Sequence, residues 1–196
     1  MMRYWFNSLL VLVFCLVGPA YGAEQAPKVI LETSLGAITV ELNPQAAPRT
    51  VENFLNYVDT GFYDNTIFHR VIKGFMIQGG GFTPDLAQKK TGPAIGNEAS
   101  NGLGNRRGAI AMARTGEPHS ATSQFFINTV DNVSLDHSAK TPQGWGYCVF
   151  GKVTAGMEVV DAIAAQPTTT RNSQNDVPVK AVVIKRASRV AVTPKS

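Results

Sequence analysis

Reactive side chains are scarce in this sequence. The 196-residue chain carries two cysteines and three histidines. His69, His119 and His137 form no pair with the spacing found in zinc hydrolases, which argues against a metal site. Cys15 falls in an N-terminal leader. Cys148 is then left without an internal disulfide partner, and stability must come from a packed core. Cys148 lies in an apolar, strand-like run and reads as a small buried hydrophobe, not a nucleophile. No Gly-x-Ser-x-Gly elbow occurs. Gly79-Gly80-Gly81 lacks the spacing of a dinucleotide fingerprint or a phosphate loop, and no Gly-Lys-Ser/Thr follows it. It reads as a turn. No internal repeat or low-complexity segment is present. At the level of motifs there is no activated nucleophile, no cofactor cradle and no metal cage. An enzyme built from these residues makes no covalent intermediate.

Long hydrophobic runs are missing as well. The longest, Leu9 to Val17, falls short of the roughly 20 residues that span a bilayer. Arg3 precedes it, and Ala20-Tyr21-Gly22, or the next frame ending at Ala23, offers small residues for cleavage. Residues 1–23 therefore read as a secretory signal peptide, with an N-terminal membrane anchor the weaker reading. Bulky Phe14 before Cys15 disfavours a lipoprotein signal. No later stretch is apolar enough to span a membrane, so the mature chain is expected to be soluble and exported. Its length fits one domain, set at residues 28–190, with a short tail at 191–196. Lys and Arg outnumber Asp and Glu by 18 to 14. The excess is scattered, with short clusters at Lys89-Lys90, Arg106-Arg107 and Lys185-Arg186. Nucleic-acid binding prefers a concentrated stripe, so a solvated surface is the better explanation.

Periodicity then locates the elements. Ile38, Val40 and Leu42 alternate with Ala37, Thr39 and Glu41, the period of a half-buried strand. Ser34-Leu35-Gly36 joins it to an earlier strand near Val29 to Thr33. Val51, Phe54, Leu55 and Val58 switch to helical spacing. Pro48 suits the first turn and Gly61 the exit, giving a helix over Pro48 to Asp59. Short apolar runs follow at Thr66 to Ile72, Phe75 to Gln78, Gly108 to Ala113, Phe125 to Thr129 and Tyr147 to Val153. A second helix is expected from Met157 to Ala165, and a last strand near Val179 to Lys185. Many short strands, few helices and many glycines point to a mainly β protein with a closed antiparallel barrel. Closure leaves no exposed sheet edge.

One segment stands apart: Phe68-His69-Arg70-Val71-Ile72-Lys73-Gly74-Phe75-Met76-Ile77-Gln78-Gly79-Gly80. It resembles the cyclophilin signature. Met112-Ala113-Arg114-Thr115, Ser123-Gln124-Phe125-Phe126-Ile127-Asn128, Leu135-Asp136 and Val149-Phe150-Gly151-Lys152-Val153 agree in order and spacing across nearly the whole mature chain. The resemblance implies an eight-stranded barrel capped by two α-helices and a peptidyl-prolyl cis-trans isomerase without a cofactor. It also implies proline-containing polypeptides, unfolded or partly folded, as partners. The choices at Arg114, Thr115 and Tyr147 look like the bacterial exported branch. The periplasm is therefore the expected compartment, with secretion the second choice, and monomer is the default state. The chain ends Thr193-Pro194-Lys195-Ser196, with no ER-retention signal.

That reaction makes and breaks no bond. Rotation about X-Pro must overcome amide resonance, a barrier of roughly 18–20 kcal/mol. The twisted amide nitrogen regains a lone pair and can accept a hydrogen bond, so a fixed donor aimed there favours the transition state over both planar forms. By family match the donor is Arg70, whose guanidinium stays charged and offers rigid donors. The proline pocket is assigned to Phe75, Met76, Phe126 and Leu135. Gln78 is assigned to substrate backbone or to orienting Arg70, and the Ala113-Arg114 backbone to pairing with the peptide. Gln124 and Tyr147 fall at substrate-site positions. His69 matches a site-lining position, with no proton-transfer role. Ser134 stands where the eukaryotic pattern has a tryptophan, and Lys73 where the family commonly has proline. Loss of the indole predicts weak binding of cyclosporin-type macrocycles. A non-catalytic module that holds proline-containing chains is the competing reading, and a structural barrel the third. The presence of Arg70 favours catalysis.

Overall fold

The computed structural model describes residues 1–2 and 25–191. Residues 3–23 of the predicted signal peptide and most of the C-terminal tail lie outside the described residues. In chain order the elements are β1 (Lys28–Thr33), β2 (Gly36–Leu42), α1 (Pro48–Asp59), β3 (Thr66–Ile72), β4 (Met76–Gly79), β5 (Ala109–Met112) and β6 (Phe125–Asn128). Then come β7 (Val149–Ala155), α2 (Met157–Ala164), β8 (Thr168–Arg171), β9 (Gln174–Pro178) and β10 (Val183–Arg189). Eight strands close a barrel in the order β1-β10-β3-β4-β6-β5-β7-β2, all neighbours antiparallel. This is the mainly β, two-helix architecture expected.

Period-two alternation fills the barrel. Val29, Leu31, Ile38, Val40, Ile77, Ile110, Phe125, Ile127 and Phe150 are buried in one cluster. α1 adds Val51, Phe54, Leu55 and Val58 to it. Phe54 meets Phe125 edge-on at 5.6 Å and Phe150 at 5.1 Å. Burying each such side chain is worth about 1.5–3 kcal/mol. The start of α1 lacks a local cap, since Ala47 has no side chain to offer. Glu98 substitutes from a distant loop, its carboxylate accepting the Arg49 and Thr50 N–H groups at 3.2 and 2.9 Å. A carboxylate there also suits the positive end of the helix dipole.

The intervening residues form a second apolar face outside the barrel. Cross-strand register aligns Arg70 with Gln78, Gln78 with Phe126, Phe126 with Ala111 and Ala111 with Val149. These five residues make one row across β3, β4, β6, β5 and β7. Met76, Ala109, Ala111, Phe126 and Val149 are buried in a separate cluster, against Phe75, Leu135 and Tyr147.

Two local features depart from a regular ladder or from expectation. Phe68 pairs with Gly79 and Arg70 with Gln78, so His69 is a surplus residue, a β-bulge. Phe68 and Val71 stay in the inner cluster while His69 and Arg70 both face outward. The second departure is the β8–β9 hairpin, which the sequence reading missed. β8 is Thr168-Thr169-Thr170-Arg171, exposed throughout, with no alternation to reveal it. Its turn residues Asn172 and Ser173 both have positive φ, 49° and 61°, as two-residue hairpins require. The last barrel strand accordingly begins at Val183, not Val179. Cys148 is buried and free, and burial pushes its thiol up to about 11.

Candidate active site

Arg70, Phe75, Met76, Gln78, Ala113, Arg114, Phe126, Leu135 and Tyr147 line one cavity of about 100 Å3. That is well below the roughly 300–1,000 Å3 of drug-sized sites and suits a single small ring. Nine of the eleven residues singled out in the sequence therefore converge. His69 and Gln124 do not line this cavity. They border an adjacent groove, joined to it by Arg70 and by the hydrogen bond from Gln78 Nε2 to Gln124 Oε1 at 2.9 Å. A larger cavity of about 540 Å3 sits near Leu42, Leu103 and Val149. Its cations Arg106, Arg107 and Lys152 are paired with Asp136, Asp161 and Glu41, so each positive charge there already has an acidic partner.

The walls are held by loop hydrogen bonds that no motif announces. Asn132 Nδ2 donates to the Phe75 carbonyl at 2.9 Å and to Asn128 Oδ1 at 2.7 Å. Asn128 Nδ2 donates to Asn105 Oδ1 at 3.2 Å. Asn105 Nδ2 donates to the Leu135 carbonyl at 3.1 Å. Three buried amides thus tie the Phe75 and Leu135 walls together. Burial works against ionisation of Asp136, but the Asn105 N–H, Arg106 and the Asn105 amide outweigh it and hold that carboxyl below its ordinary range.

Arg114 forms the opposite wall. Its guanidinium lies 4.8 Å over the Tyr147 ring, and its nitrogens donate to the carbonyls of Gly146, Thr115, Gly116 and Pro142. Tyr147 in turn meets Phe126 edge-on at 5.6 Å. The Ala113 N–H donates to the Gln124 carbonyl at 2.9 Å. That donor is therefore not free to pair with a bound peptide, which narrows the role expected of the Ala113-Arg114 edge. Ser134 is exposed and adds no wall.

Arg70 is exposed at the cavity mouth. Its Nε lies 3.7 Å from Asp176 Oδ2. This partner comes from β9, the element absent from the sequence reading, and the polar run around it carried no signal. Gln78 pairs with Gln124 and makes no hydrogen bond to Arg70. His69 is 5 % exposed. Desolvation lowers its pKa to about 4, so the ring is neutral near pH 7. A cation and an amide at the mouth of a ring-sized slot can hold a cyclic side chain and present a charged donor to the adjacent backbone. Nothing in the cavity offers nucleophilic chemistry.

Comparison with known proteins agrees with that geometry. The model of the cyclophilin-type peptidyl-prolyl cis-trans isomerase family matches residues 28–189. A peptidyl-prolyl cis-trans isomerase of Streptomyces antibioticus is 61% identical over 159 residues, covering 81% of this chain and 96% of the relative. Peptidyl-prolyl cis-trans isomerase A of Dickeya dadantii is 52% identical over 177 residues, covering 90% and 92%. The crystal structure of a cyclophilin-type isomerase from Cryptosporidium parvum superposes with a TM-score of 0.73 at 29% identity, covering 86% of this chain and 99% of that one. The same protein was also solved in the presence of the dipeptide Ala-Pro. The chain belongs to the cyclophilin-type peptidyl-prolyl cis-trans isomerase family. It is an enzyme of the rotamase class.

Proposed function

We propose that the protein isomerises X-Pro bonds of unfolded or partly folded polypeptides in the periplasm, using Arg70 as the group that stabilises the twisted amide. The observation that carries this reading is the position of Arg70 at the mouth of a slot walled by Phe75, Met76, Phe126 and Leu135. The proline ring enters the slot and loses contact with water. The residue before it remains outside, free to turn. As the bond rotates, the nitrogen leaves conjugation and its lone pair accepts a hydrogen bond from the guanidinium. No proton moves and no covalent intermediate forms. Gln78, fixed by Gln124, presents its remaining amide capacity to the substrate backbone.

The magnitude is testable. A hydrogen bond to a charged group contributes roughly 1.5–3 kcal/mol net, about one to two decades of rate. Orientation and the desolvated slot supply the remainder. In a protease-coupled proline-peptide assay, Arg70→Ala should lower kcat/KM by about 10- to 100-fold while peptide Kd changes far less. Equal losses in both, or in neither, would remove Arg70 from this role and favour a holding module. Because the donor is permanently charged and His69 is already neutral, turnover should be flat from mildly acidic to mildly basic pH.

Export rests on the signal-peptide pattern of residues 1–23, and the periplasm on the bacterial-type residues Arg114, Thr115 and Tyr147. The protein acts there as a monomer. With exposed Ser134 in place of an indole, cyclosporin binds weakly. A nanomolar inhibition constant would overturn that expectation.

A further inference from the structure

A shallow groove of about 580 Å3 lies on the other side of Arg70 from the proline slot. Its floor is His69 against Phe82, ring centroids 4.6 Å apart. Phe82 is fixed by the Ile67 N–H, which donates to its carbonyl at 2.9 Å. The rim is rich in unused hydrogen-bonding capacity. The side chains of Gln88 and Gln174, both lining the groove, make no hydrogen bond among the described residues. Asn175 accepts one from Thr170 Oγ1 at 2.9 Å, which leaves its amide N–H groups free. His69 is buried, and its Nδ1 has no partner among the described residues. A buried polar atom without a partner is uncommon and marks a place where something else completes the hydrogen bonding.

A polypeptide whose proline fills the slot continues in two directions. Towards Ala113 and Arg114 the Ala113 N–H and the Arg114 guanidinium are already committed to the protein's own carbonyls. Across Arg70 they are not. We propose that this groove is a second substrate subsite, which takes the chain flanking the proline and favours an amide or hydroxyl side chain there over an aliphatic one. The inference rests on the isomerase reading of the slot and adds sequence selection to it. Gln88 and Gln174 supply both a donor and an acceptor, matching Gln, Asn, Ser or Thr. The Phe82 ring packs the aliphatic part of the bound side chain. Asp176 is engaged by Arg70, so the groove presents little net charge.

The test compares a short peptide, with one residue on either side of proline, with longer peptides extended at either end and carrying Gln or Leu in the extension. Both kcat/KM and calorimetric Kd are measured for the wild type and the double variant Gln88→Leu/Gln174→Leu. Two neutral hydrogen bonds correspond to about a tenfold gain. One of the two Gln-extended peptides should exceed its Leu counterpart by about that factor, mostly through KM and Kd. In the double variant the ratio should fall towards one. Equal Gln and Leu peptides in the wild type, or a preference that persists in the double variant, overturns the subsite. Absence of turnover of the short peptide by the wild type would instead refute the isomerase reading. The Gln-to-Leu ratio of Kd still decides the groove in that case.

Discussion

Asn132→Ala tests whether the pocket walls are held by the buried amide chain. The substitution removes two hydrogen bonds, to the Phe75 carbonyl at 2.9 Å and to Asn128 Oδ1 at 2.7 Å. Both acceptors remain, and Asn128 is fully buried at 0 % exposure. Leaving a buried polar group unpaired costs about 1–3 kcal/mol, against about 1 kcal/mol net for an ordinary hydrogen bond. The oxygen of Asn128 carries the larger figure, and the Phe75 carbonyl, which still accepts the Thr129 N–H at 3.0 Å, only the smaller. The sum is about 2–4 kcal/mol, a large share of the roughly 5–15 kcal/mol that holds a domain folded. Urea denaturation reads it directly: with a slope near 2 kcal/mol per molar, the midpoint should fall by about 1–2 M. The variant should also raise KM, because the Phe75 and Leu135 walls lose their common tie, while turnover at saturation changes less. A midpoint within about 0.3 M of the wild type, with KM unchanged, would refute the amide chain as the support of the pocket.

Two further outcomes follow from burial. Desolvation holds His69 near 4 in the folded chain against 6.5 in the reference state. Between those values the unfolded chain binds the extra proton, so stability falls as pH drops through that window. The contribution is fully present above pH 6.5, and its loss approaches about 3 kcal/mol near pH 4. His69→Gln should flatten that part of a urea-midpoint-versus-pH curve, and an unchanged slope would argue against a neutral buried imidazole. Gly80 has φ +81°, and a Cβ there would lie 2.8 Å from the rings of Phe125 and Tyr63. Gly80→Ala should cost about 2–5 kcal/mol and lower the thermal midpoint by at least about 5 °C. An unaltered midpoint would mean that the aromatic cluster yields.

Legibility in the sequence tracked the strength of local pattern. α1 was readable to its bounds because Val51, Phe54, Leu55 and Val58 repeat at helical spacing behind Pro48. β2 was readable from simple alternation. The slot was readable only as a joint pattern. Phe75, Met76 and Phe126 taken singly are ordinary core residues, and Phe126 is in fact 4 % exposed, like core. Its placement outside the barrel follows from register with Gln78 and Ala111, a non-local property. The β8–β9 hairpin escaped because its strands are polar and its turn is Asn-Ser, without glycine. Asp176 escaped with it. Asn105, Asn128 and Asn132 became a network only when the end of β6 and the segment after it met the segment before β5.

The surplus residue in β3 separates two jobs along one strand. Without His69, Phe68 and Arg70 would follow each other in plain alternation, one inward and one outward. The guanidinium would keep its place opposite Gln78. Excision of that single residue would therefore spare the slot and strip the neighbouring groove of its imidazole wall. A length change of one amino acid could divide chemistry from substrate choice.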